Sequence, residues 1–258
     1  MTDFLAVTEL SGDMVSQEQI DRMIRRYYWA GTYCKGKDVL EVACGTGQGI
    51  GYLASIAHSY SAGDYSEAIL AIARKHYGQR FKIQQFDAQV LAFETASLDA
   101  VIIFEALYYV PDAERFFVEC RRVLRPGGVL LISNANSDLF DFNPSPHSFV
   151  YHGVRELADR LHQHGFSVEC FGDTPLGEVS AAQRVLRPLK ALAARAGLIP
   201  KSMAAKKLLK RLVFGKLVPL PAEIPVDLDV PCRPDRLALD EPALGHKVIL
   251  CAATRRAA

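Results

Sequence analysis

The stretch that decides the fold reads Val39-Leu40-Glu41-Val42-Ala43-Cys44-Gly45-Thr46-Gly47-Gln48-Gly49. It begins as a short apolar strand with one internal acid, Glu41, and ends in three alternating glycines. Glycine allows a tight turn and lets the backbone approach a ligand more closely than any Cβ would permit. A helix after such a turn presents free N–H groups and the positive end of its dipole. The stretch therefore predicts a site for a nucleoside-containing cofactor.

Strand and helix patterns alternate along most of the chain. Apolar runs bounded by turn residues predict strands at 38–43, 60–64, 81–86, 98–104, 129–133, 166–171 and 247–252. Amphipathic periods with capping residues predict helices at 47–57, 66–77, 112–124 and 154–163. This alternation predicts a doubly wound, Rossmann-like α/β fold with helices on both faces of a parallel sheet. The ligand crevice is then expected at the carboxyl ends of the strands, where the strand order reverses.

A long segment interrupts the alternation before the last strand. We expect residues 1–173 to form the core, 174–242 a helical and then proline-rich insertion, and 243–258 the final strand. The insertion has no acidic residue between Glu178 and Glu223, and its basic residues give this interval a charge of +10 against about −9 for the remainder. These basic residues are Arg184, Arg187, Lys190, Arg195, Lys201, Lys206, Lys207, Lys210, Arg211 and Lys216.

Composition narrows the class of protein. The chain has 258 residues, 50% of them hydrophobic, so it can bury one substantial core. It has no apolar run of about 18 residues, and its first residues lack the pattern of a secretion signal. Its six cysteines form no CxxC pair, which disfavours a zinc site and a disulfide scaffold. We therefore expect a cytoplasmic protein without a metal requirement.

Two classes of cofactor compete for the glycine turn. A dinucleotide site favours G-x-G-x-x-G, with a pyrophosphate over the helix N-terminus. Here the glycines are Gly45, Gly47 and Gly49, and Ile50 stands where the dinucleotide pattern has its third glycine. Glu41 would repel a pyrophosphate but could meet an ammonium group. The acid therefore favours a cofactor that carries an ammonium group.

At several separated positions the sequence resembles the class I S-adenosylmethionine-dependent methyltransferases that act on small molecules. The resemblance covers about residues 27–171 and the last strand. It is carried by 39–49, by Ala62-Gly63-Asp64-Tyr65-Ser66, by Phe86-Asp87-Ala88, by 98–101 with 106–112, and by Arg121-Arg122-Val123-Leu124-Arg125-Pro126-Gly127-Gly128. The resemblance implies a seven-stranded sheet whose last strand is antiparallel, with S-adenosyl-L-methionine as the cofactor.

The resemblance also implies roles for the matched residues. Asp64 would accept both ribose hydroxyls, Asp87 the adenine amino group, and the backbone N–H of Ala88 would meet the adenine ring. Tyr65 would pack on the adenine, and Tyr27 or Tyr28 would cover the methionine end. The cofactor residues that we expect are Glu41, Ala43, Gly45, Thr46, Gly47, Asp64, Tyr65, Asp87, Ala88, Phe104 and Tyr27.

Ordinary structural roles stay open for several of these residues. Asp64 could cap a helix, Asp87 could start a turn, and Tyr65 could be a surface aromatic. Residues 26–29 could belong to an amphipathic helix that covers the sheet.

The sequence offers few candidates for catalysis. Methyl transfer is an in-line displacement that depends on positioning, and a hydroxyl acceptor also benefits from a general base. His147 and His152 lie in a loop after a strand, which we expect to face the crevice. Tyr108 and Tyr109 could orient an acceptor, and Glu105 is a weaker candidate for the base. The predicted catalytic residues are His147, His152 and Tyr108.

We expect O-methylation of a small molecule, such as a sugar or glycan precursor or a secondary metabolite. The alternatives are N-methylation of an amine or RNA, and a non-catalytic cofactor-binding partner subunit. The basic residues 184–216 could form a lid, or could bind an anionic membrane or a lipid-linked phosphate at the inner face of the membrane. Nucleic acid is disfavoured because stacking aromatic residues are nearly absent there. The acceptor is thus expected to be anionic or lipid-linked.

Overall fold

Ten strands and five α-helices are found in the described part of the chain, which in this computed structural model comprises residues 4–6, 8–176, 217–230 and 233–257. The strands are β1 (Met14–Ser16), β2 (Asp38–Val42), β3 (Ser59–Asp64), β4 (Ile83–Gln85), β5 (Leu98–Phe104), β6 (Leu124–Ala135), β7 (Phe166–Pro175), β8 (Leu217–Pro219), β9 (Asp235–Leu237) and β10 (His246–Arg255). The helices are α1 (Gln17–Cys34), α2 (Ile50–Ile56), α3 (Glu67–Tyr77), α4 (Ala113–Val123) and α5 (Val154–Gln163).

Eight strands form one mixed sheet in the order β4-β3-β2-β5-β6-β10-β7-β9. The five neighbouring strands β4, β3, β2, β5 and β6 are parallel, whereas β10 is antiparallel to both β6 and β7. The predicted α/β class and its antiparallel last strand are confirmed, and β9 adds a short eighth strand at the edge. The order reverses between β2 and β5, so the crevice lies at the carboxyl ends of these two strands.

Strand β5 lies at the centre of the core. Its successive side chains point to opposite faces of the sheet, as strand geometry requires. Val101 and Ile103 pack in the cluster that contains α4 and α5, while Ile102 and Phe104 pack in the cluster that contains α1 and α2. All four are buried. Because both faces of β5 are covered, its sequence from Ala100 to Phe104 is apolar.

The observed bounds of the elements follow local signals in the sequence. Helix α3 begins after Ser66, whose Oγ accepts a hydrogen bond from Ile69 N, which confirms the predicted cap. Helix α5 has its predicted bounds. Helix α2 begins at Ile50 rather than at residue 47, because Gly47 has a φ of +90°, which no right-handed helix accommodates.

Two short pairings were not expected from the sequence. Strand β1 pairs antiparallel with β8, and this ribbon joins the N-terminal segment to residues that follow the basic stretch. Strand β9 extends the sheet beyond β7. Residues 177–216, which include the basic stretch 184–216, lie outside the described residues, so the helical insertion and the domain bounds stay predictions. None of the helices in the described ranges has the length and apolar character needed to cross a membrane.

Candidate active site

A cavity of about 600 Å³ opens at the carboxyl ends of β2, β3 and β5. Its wall is formed by the turn after β2, by residues that follow β3, β4 and β5, and by one face of α1. Most of the predicted site residues line it, namely Ala43, Gly45, Thr46, Asp64, Tyr65, Asp87, Ala88, Phe104, Tyr27 and Tyr108. Glu41, Gly47, His147 and His152 do not.

The glycine turn after β2 has two glycines with different tasks. Both have positive φ, +59° at Gly45 and +90° at Gly47, a region that glycine enters without the cost of a Cβ. A Cβ added to Gly45 would meet nothing within 4 Å, and this residue faces the cavity. A Cβ added to Gly47 would lie 2.8 Å from Cε2 of Tyr77. Gly45 therefore leaves room for a ligand, whereas Gly47 allows α3 to pack against the turn.

Asp64 joins the end of β3 to this turn. Its Oδ2 accepts a hydrogen bond from Gly45 N (3.0 Å), and its Oδ1 accepts one from Ser66 N (2.9 Å). Burial raises the pKa of Asp64, and the backbone N–H groups around it act in the opposite direction. A carboxylate has about four lone-pair sites, so two bonds leave acceptor capacity on the cavity side. This free acceptor capacity is what the role implied by the resemblance, binding of the ribose diol, would require.

Asp87 and Tyr65 complete the same side of the cavity. Asp87 Oδ1 accepts a hydrogen bond from Gln89 N (2.8 Å), and the side-chain amide of Gln89 also donates to the carboxylate. Asp87 thus forms a turn as well as facing the cavity. Tyr65 is half exposed and meets Phe4 edge-on at 6.2 Å between ring centroids. We refer to Gly45, Thr46, Asp64 and Asp87 as the glycine wall.

The structure gives Glu41 a different position from the expected one. Its carboxylate is buried in the core, where Tyr27 OH donates to Oε1 (2.7 Å) and Tyr60 OH donates to Oε2. Burial raises the pKa of Glu41, and both hydroxyls favour its charged form. Glu41 is therefore not brought to the cavity wall. It holds Tyr27, whose ring packs on Gly49 and lines the cavity.

The structure also corrects the expectation for the two histidines. His147 is exposed, and His152 is buried with its Nδ1 3.1 Å from Glu156 Oε1. Burial lowers the pKa of His152, so it stays neutral near pH 7. The loop that carries them does reach the cavity, but through Ser145 and Phe149. Sequence alone could not tell which side chains of this irregular loop face inwards.

A carboxylate and a phenol stand together beside the end of β5. Glu105 has a φ of +51°, which is rare for a residue with a side chain and is often found at functional sites. Its Oε2 accepts a hydrogen bond from Tyr108 OH (3.2 Å), and its Oε1 accepts one from Ser133 Oγ (3.1 Å). Burial and the charge of Glu105 raise the pKa of Tyr108 well above its usual value. Tyr108 therefore keeps its proton near neutral pH and donates it in a hydrogen bond to Glu105.

One face of α1 closes the cavity, and its charge was missed by sequence reasoning. Gln19, Arg22, Met23, Arg26 and Tyr27 recur at helical spacing and line the cavity. The guanidinium of Arg26 lies 5.7 Å from the centre of the Tyr27 ring, and its Nη1 is 3.9 Å from Glu105 Oε1. The helical spacing of these residues can be seen in the sequence, but it does not show which face of α1 meets the cavity. We refer to Arg22, Arg26, Glu105 and Tyr108 as the arginine wall.

The N-terminal segment covers part of the opening. Phe4, Thr8 and Glu9 line the cavity, as does Leu220 from the other end of the chain. Gly12 N donates to Leu220 O (2.8 Å), and Leu220 N donates to Asp13 O (2.8 Å). We refer to Phe4, Thr8, Glu9 and Leu220 as the roof of the cavity. Hydrogen bonds between two segments that are distant in sequence therefore hold this roof.

Comparison with known proteins identifies the central part of the chain. Residues 40–132 match a family model described as a methyltransferase domain. The chain is 36% identical over 140 residues to a Mycolicibacterium smegmatis protein named "Probable S-adenosylmethionine-dependent methyltransferase", covering 53% of this chain and 54% of that protein. It is 38% identical over 125 residues to phthiotriol/phenolphthiotriol dimycocerosates methyltransferase 1 of Mycobacterium ulcerans, covering 46% of each. The chain spans about half the length of the curated relatives it matches.

The whole fold is similar to that of solved methyltransferases. One is phosphoethanolamine N-methyltransferase 2 of Haemonchus contortus, solved in complex with S-adenosyl-L-methionine. The TM-score is 0.56 at 16% sequence identity, covering 93% of this chain and 53% of that chain. At this identity the similarity shows the fold alone, because function depends on the site that a fold carries.

Proposed function

Residues 40–132 belong to the class I S-adenosylmethionine-dependent methyltransferases, and from this premise we propose that the protein methylates a hydroxyl of a small molecule. One observation carries the proposal. Asp64 Oδ2 accepts a hydrogen bond from Gly45 N (3.0 Å), a Cβ on Gly45 would meet no atom within 4 Å, and both residues line a cavity of about 600 Å³. The site thus combines a carboxylate that can accept hydrogen bonds from a diol with a turn that a ligand can approach closely.

The residues of the glycine wall fit S-adenosyl-L-methionine. Asp64 would accept the ribose hydroxyls, since a charged acceptor with two oxygens is specific for a diol. Asp87 and the backbone of Ala88 would hold the adenine, and Tyr65 would cover it. When bound, the cofactor would supply a methyl group on a positively charged sulfonium; the acceptor oxygen would bond to this methyl carbon as the carbon–sulfur bond breaks and the sulfur leaves as a thioether. Catalysis then depends on how the arginine wall presents the nucleophile.

Glu105 is the residue that we assign to the proton of the acceptor. Ser133 and Tyr108 donate hydrogen bonds to its two oxygens and fix its orientation. A hydroxyl placed beside this carboxylate would lose its proton to Glu105 as its oxygen forms the bond to carbon. An amine acceptor would need no base, and its cationic form would be repelled by Arg22 and Arg26. These charges support transfer to oxygen over transfer to nitrogen.

The acceptor that we propose is a small molecule with an apolar part, such as a glycan precursor linked to lipid or a secondary metabolite. Aromatic side chains at the mouth of the cavity, Phe4, Tyr109 and Phe149, support this class. The Mycobacterium ulcerans relative is named for phthiotriol and phenolphthiotriol dimycocerosates. A cytoplasmic location and contact of residues 184–216 with an anionic membrane remain predictions of the sequence.

The assignment of the cofactor is tested by calorimetry on the full chain. We expect S-adenosyl-L-methionine and S-adenosyl-L-homocysteine to bind and NAD not to bind. Binding of NAD, or of none of the three, would contradict the proposal.

Transfer to oxygen is tested by release of S-adenosyl-L-homocysteine in the presence of sugar alcohols, hydroxylated lipids and matched amines. We expect turnover of a hydroxyl compound that falls at least ~100-fold in Glu105→Gln, while the affinity for S-adenosyl-L-homocysteine is kept. Glu94→Gln, which changes an exposed acid away from the cavity, is the control. Turnover of amines alone would replace O-methylation with N-methylation.

A further inference from the structure

The two arginines of the arginine wall have donors without acceptors. Arg22 and Arg26 stand one helical turn apart on α1, and both line the cavity. The Nε atoms of both are buried and donate to no acceptor among the residues that the structure describes. Buried donors are normally satisfied. Because both arginines also line the cavity, a ligand bound there can reach their guanidinium groups.

Arg22 differs from its neighbours Arg25 and Arg26 on α1 in having no counter-charge in the described ranges. Arg25, on another face of the same helix, donates to Asp173 (2.9 Å), and Arg26 has Glu105 at 3.9 Å. Arg22 forms no ion pair within the described part of the chain, although it is only partly exposed. A cation that is partly withdrawn from water without a counter-charge costs free energy. A bound anion would offset that cost.

The position of Arg22 separates it from the glycine wall. Arg26 lies against Phe104 and Glu105 at the end of β5, with 5.8 Å between its guanidinium carbon and the Phe104 ring centre. Arg22 lies four residues nearer the start of α1, a displacement of about 6 Å along the helix axis. It lines the cavity together with Gln19, which lies one turn earlier on the same face of α1 and whose Nε2 donates to Glu9 Oε1.

We propose that Arg22, together with Arg26, binds an acidic group of the acceptor, a carboxylate or a phosphate. This inference rests on the proposed function, and it names the chemical class of its substrate. The planar guanidinium groups suit both oxyanions, because each can form two parallel hydrogen bonds. The anion would anchor the acceptor at one end, and its hydroxyl would reach Glu105 at the other.

The test uses the full chain saturated with S-adenosyl-L-homocysteine, so that the carboxylate of the cofactor is already in place. The Nε–Hε resonances of Arg22 and Arg26 are assigned by their loss in Arg22→Gln and Arg26→Gln. Inorganic phosphate and, separately, acetate are then titrated.

We expect both resonances to shift in a saturable way, and the anion that binds more tightly identifies the acidic group. Arg22→Gln should weaken this binding at least ~10-fold, whereas Arg155→Gln, on α5 outside the cavity, should not change it.

Three outcomes are distinguishable. If S-adenosyl-L-homocysteine alone satisfies the Arg22 donor and neither anion adds a shift, Arg22 belongs to the cofactor site and the inference is wrong. If the cofactor product binds but neither anion moves either resonance, only this inference fails. If the product does not bind at all, the proposed function fails first.

Discussion

The two walls of the cavity are built in different ways. The residues of the glycine wall lie within a few positions of a strand end, and they act largely through backbone N–H groups and short turns. The arginine wall combines a face of α1 with residues after β5, and it acts through long side chains. The first wall is therefore set by chain geometry, and the second by the choice of side chains.

The walls also differ in charge. The glycine wall has two acids and no cation, whereas the arginine wall sets Arg22 and Arg26 against Glu105. A fold that keeps the first wall and varies the second would keep its cofactor and change its acceptor. The experiments that test this difference are ordered from the largest expected effect to the smallest.

Asp64→Ala should show the largest difference between the two walls in their effect on cofactor affinity. It removes the diol acceptor and one anchor of the glycine turn, so the affinity for S-adenosyl-L-homocysteine should fall about 100-fold. Calorimetry measures the change. Tyr108→Phe, in the arginine wall, is the matched control and should leave that affinity within ~3-fold. Equal losses in the two variants would show that the walls do not act separately.

Glu41→Gln tests an acid that the sequence places at the cofactor and the structure places in the core. Its two phenol donors would face an amide with a single acceptor oxygen. The free energy of unfolding should fall by about 2 kcal/mol, measured by urea denaturation. Tyr60→Phe should show a smaller loss in the same direction. A large loss of cofactor affinity with unchanged stability would restore Glu41 to the cofactor site.

Gly45→Ala should lower the affinity for the cofactor more than it lowers the stability of the fold. The added Cβ meets no protein atom within 4 Å but occupies space at the glycine wall, so affinity should fall about 10-fold. The left-handed conformation adds a cost of about 1 kcal/mol. Gly47→Ala, whose Cβ would press on Tyr77, should instead lower the melting temperature more and serves as the contrast. The reverse ranking of the two variants would overturn this division of tasks.

His152 should affect stability at acidic pH without contributing to catalysis. Its folded pKa lies below its unfolded value, so below about pH 6.5 the unfolded chain binds the proton more readily. The free energy of unfolding should decrease as the pH falls, with a slope from this residue of at most about 1.4 kcal/mol per pH unit. His152→Gln should reduce the slope, and His147→Asn, at an exposed position, should not. Loss of turnover near pH 7 in either variant would return a histidine to the mechanism.

Much of the fold could be predicted because its signals are local. The strands from β2 to β7 and the helices α3 and α5 are marked by apolar runs, by Ser66 as a cap and by Gly165 as a stop. The β1–β8 pairing could not be predicted, since each strand has three residues and its partner lies some 200 positions away.

The same distinction explains which parts of the site were found. Gly45, Asp64 and Asp87 belong to short motifs whose spacing fixes their positions relative to strand ends. Arg22 gave no such signal, because its direction depends on how α1 packs on the sheet. The inward position of Ser145 depends on an irregular loop, and that loop follows no periodicity.

The hydrogen bonds between Gly12, Asp13 and Leu220 have a consequence for the order of assembly. During synthesis the glycine turn and strands β2 to β6 are complete long before Leu220 is made, whereas β10 follows Leu220. Closing so long a loop comes late and carries a large entropic cost, so we expect the roof to be the last part of the cavity to form. A contact that forms last and contains few bonds is also among the first to open. Exchange of bound molecules is then expected to follow the fraying of this ribbon, with the sheet remaining intact beneath it.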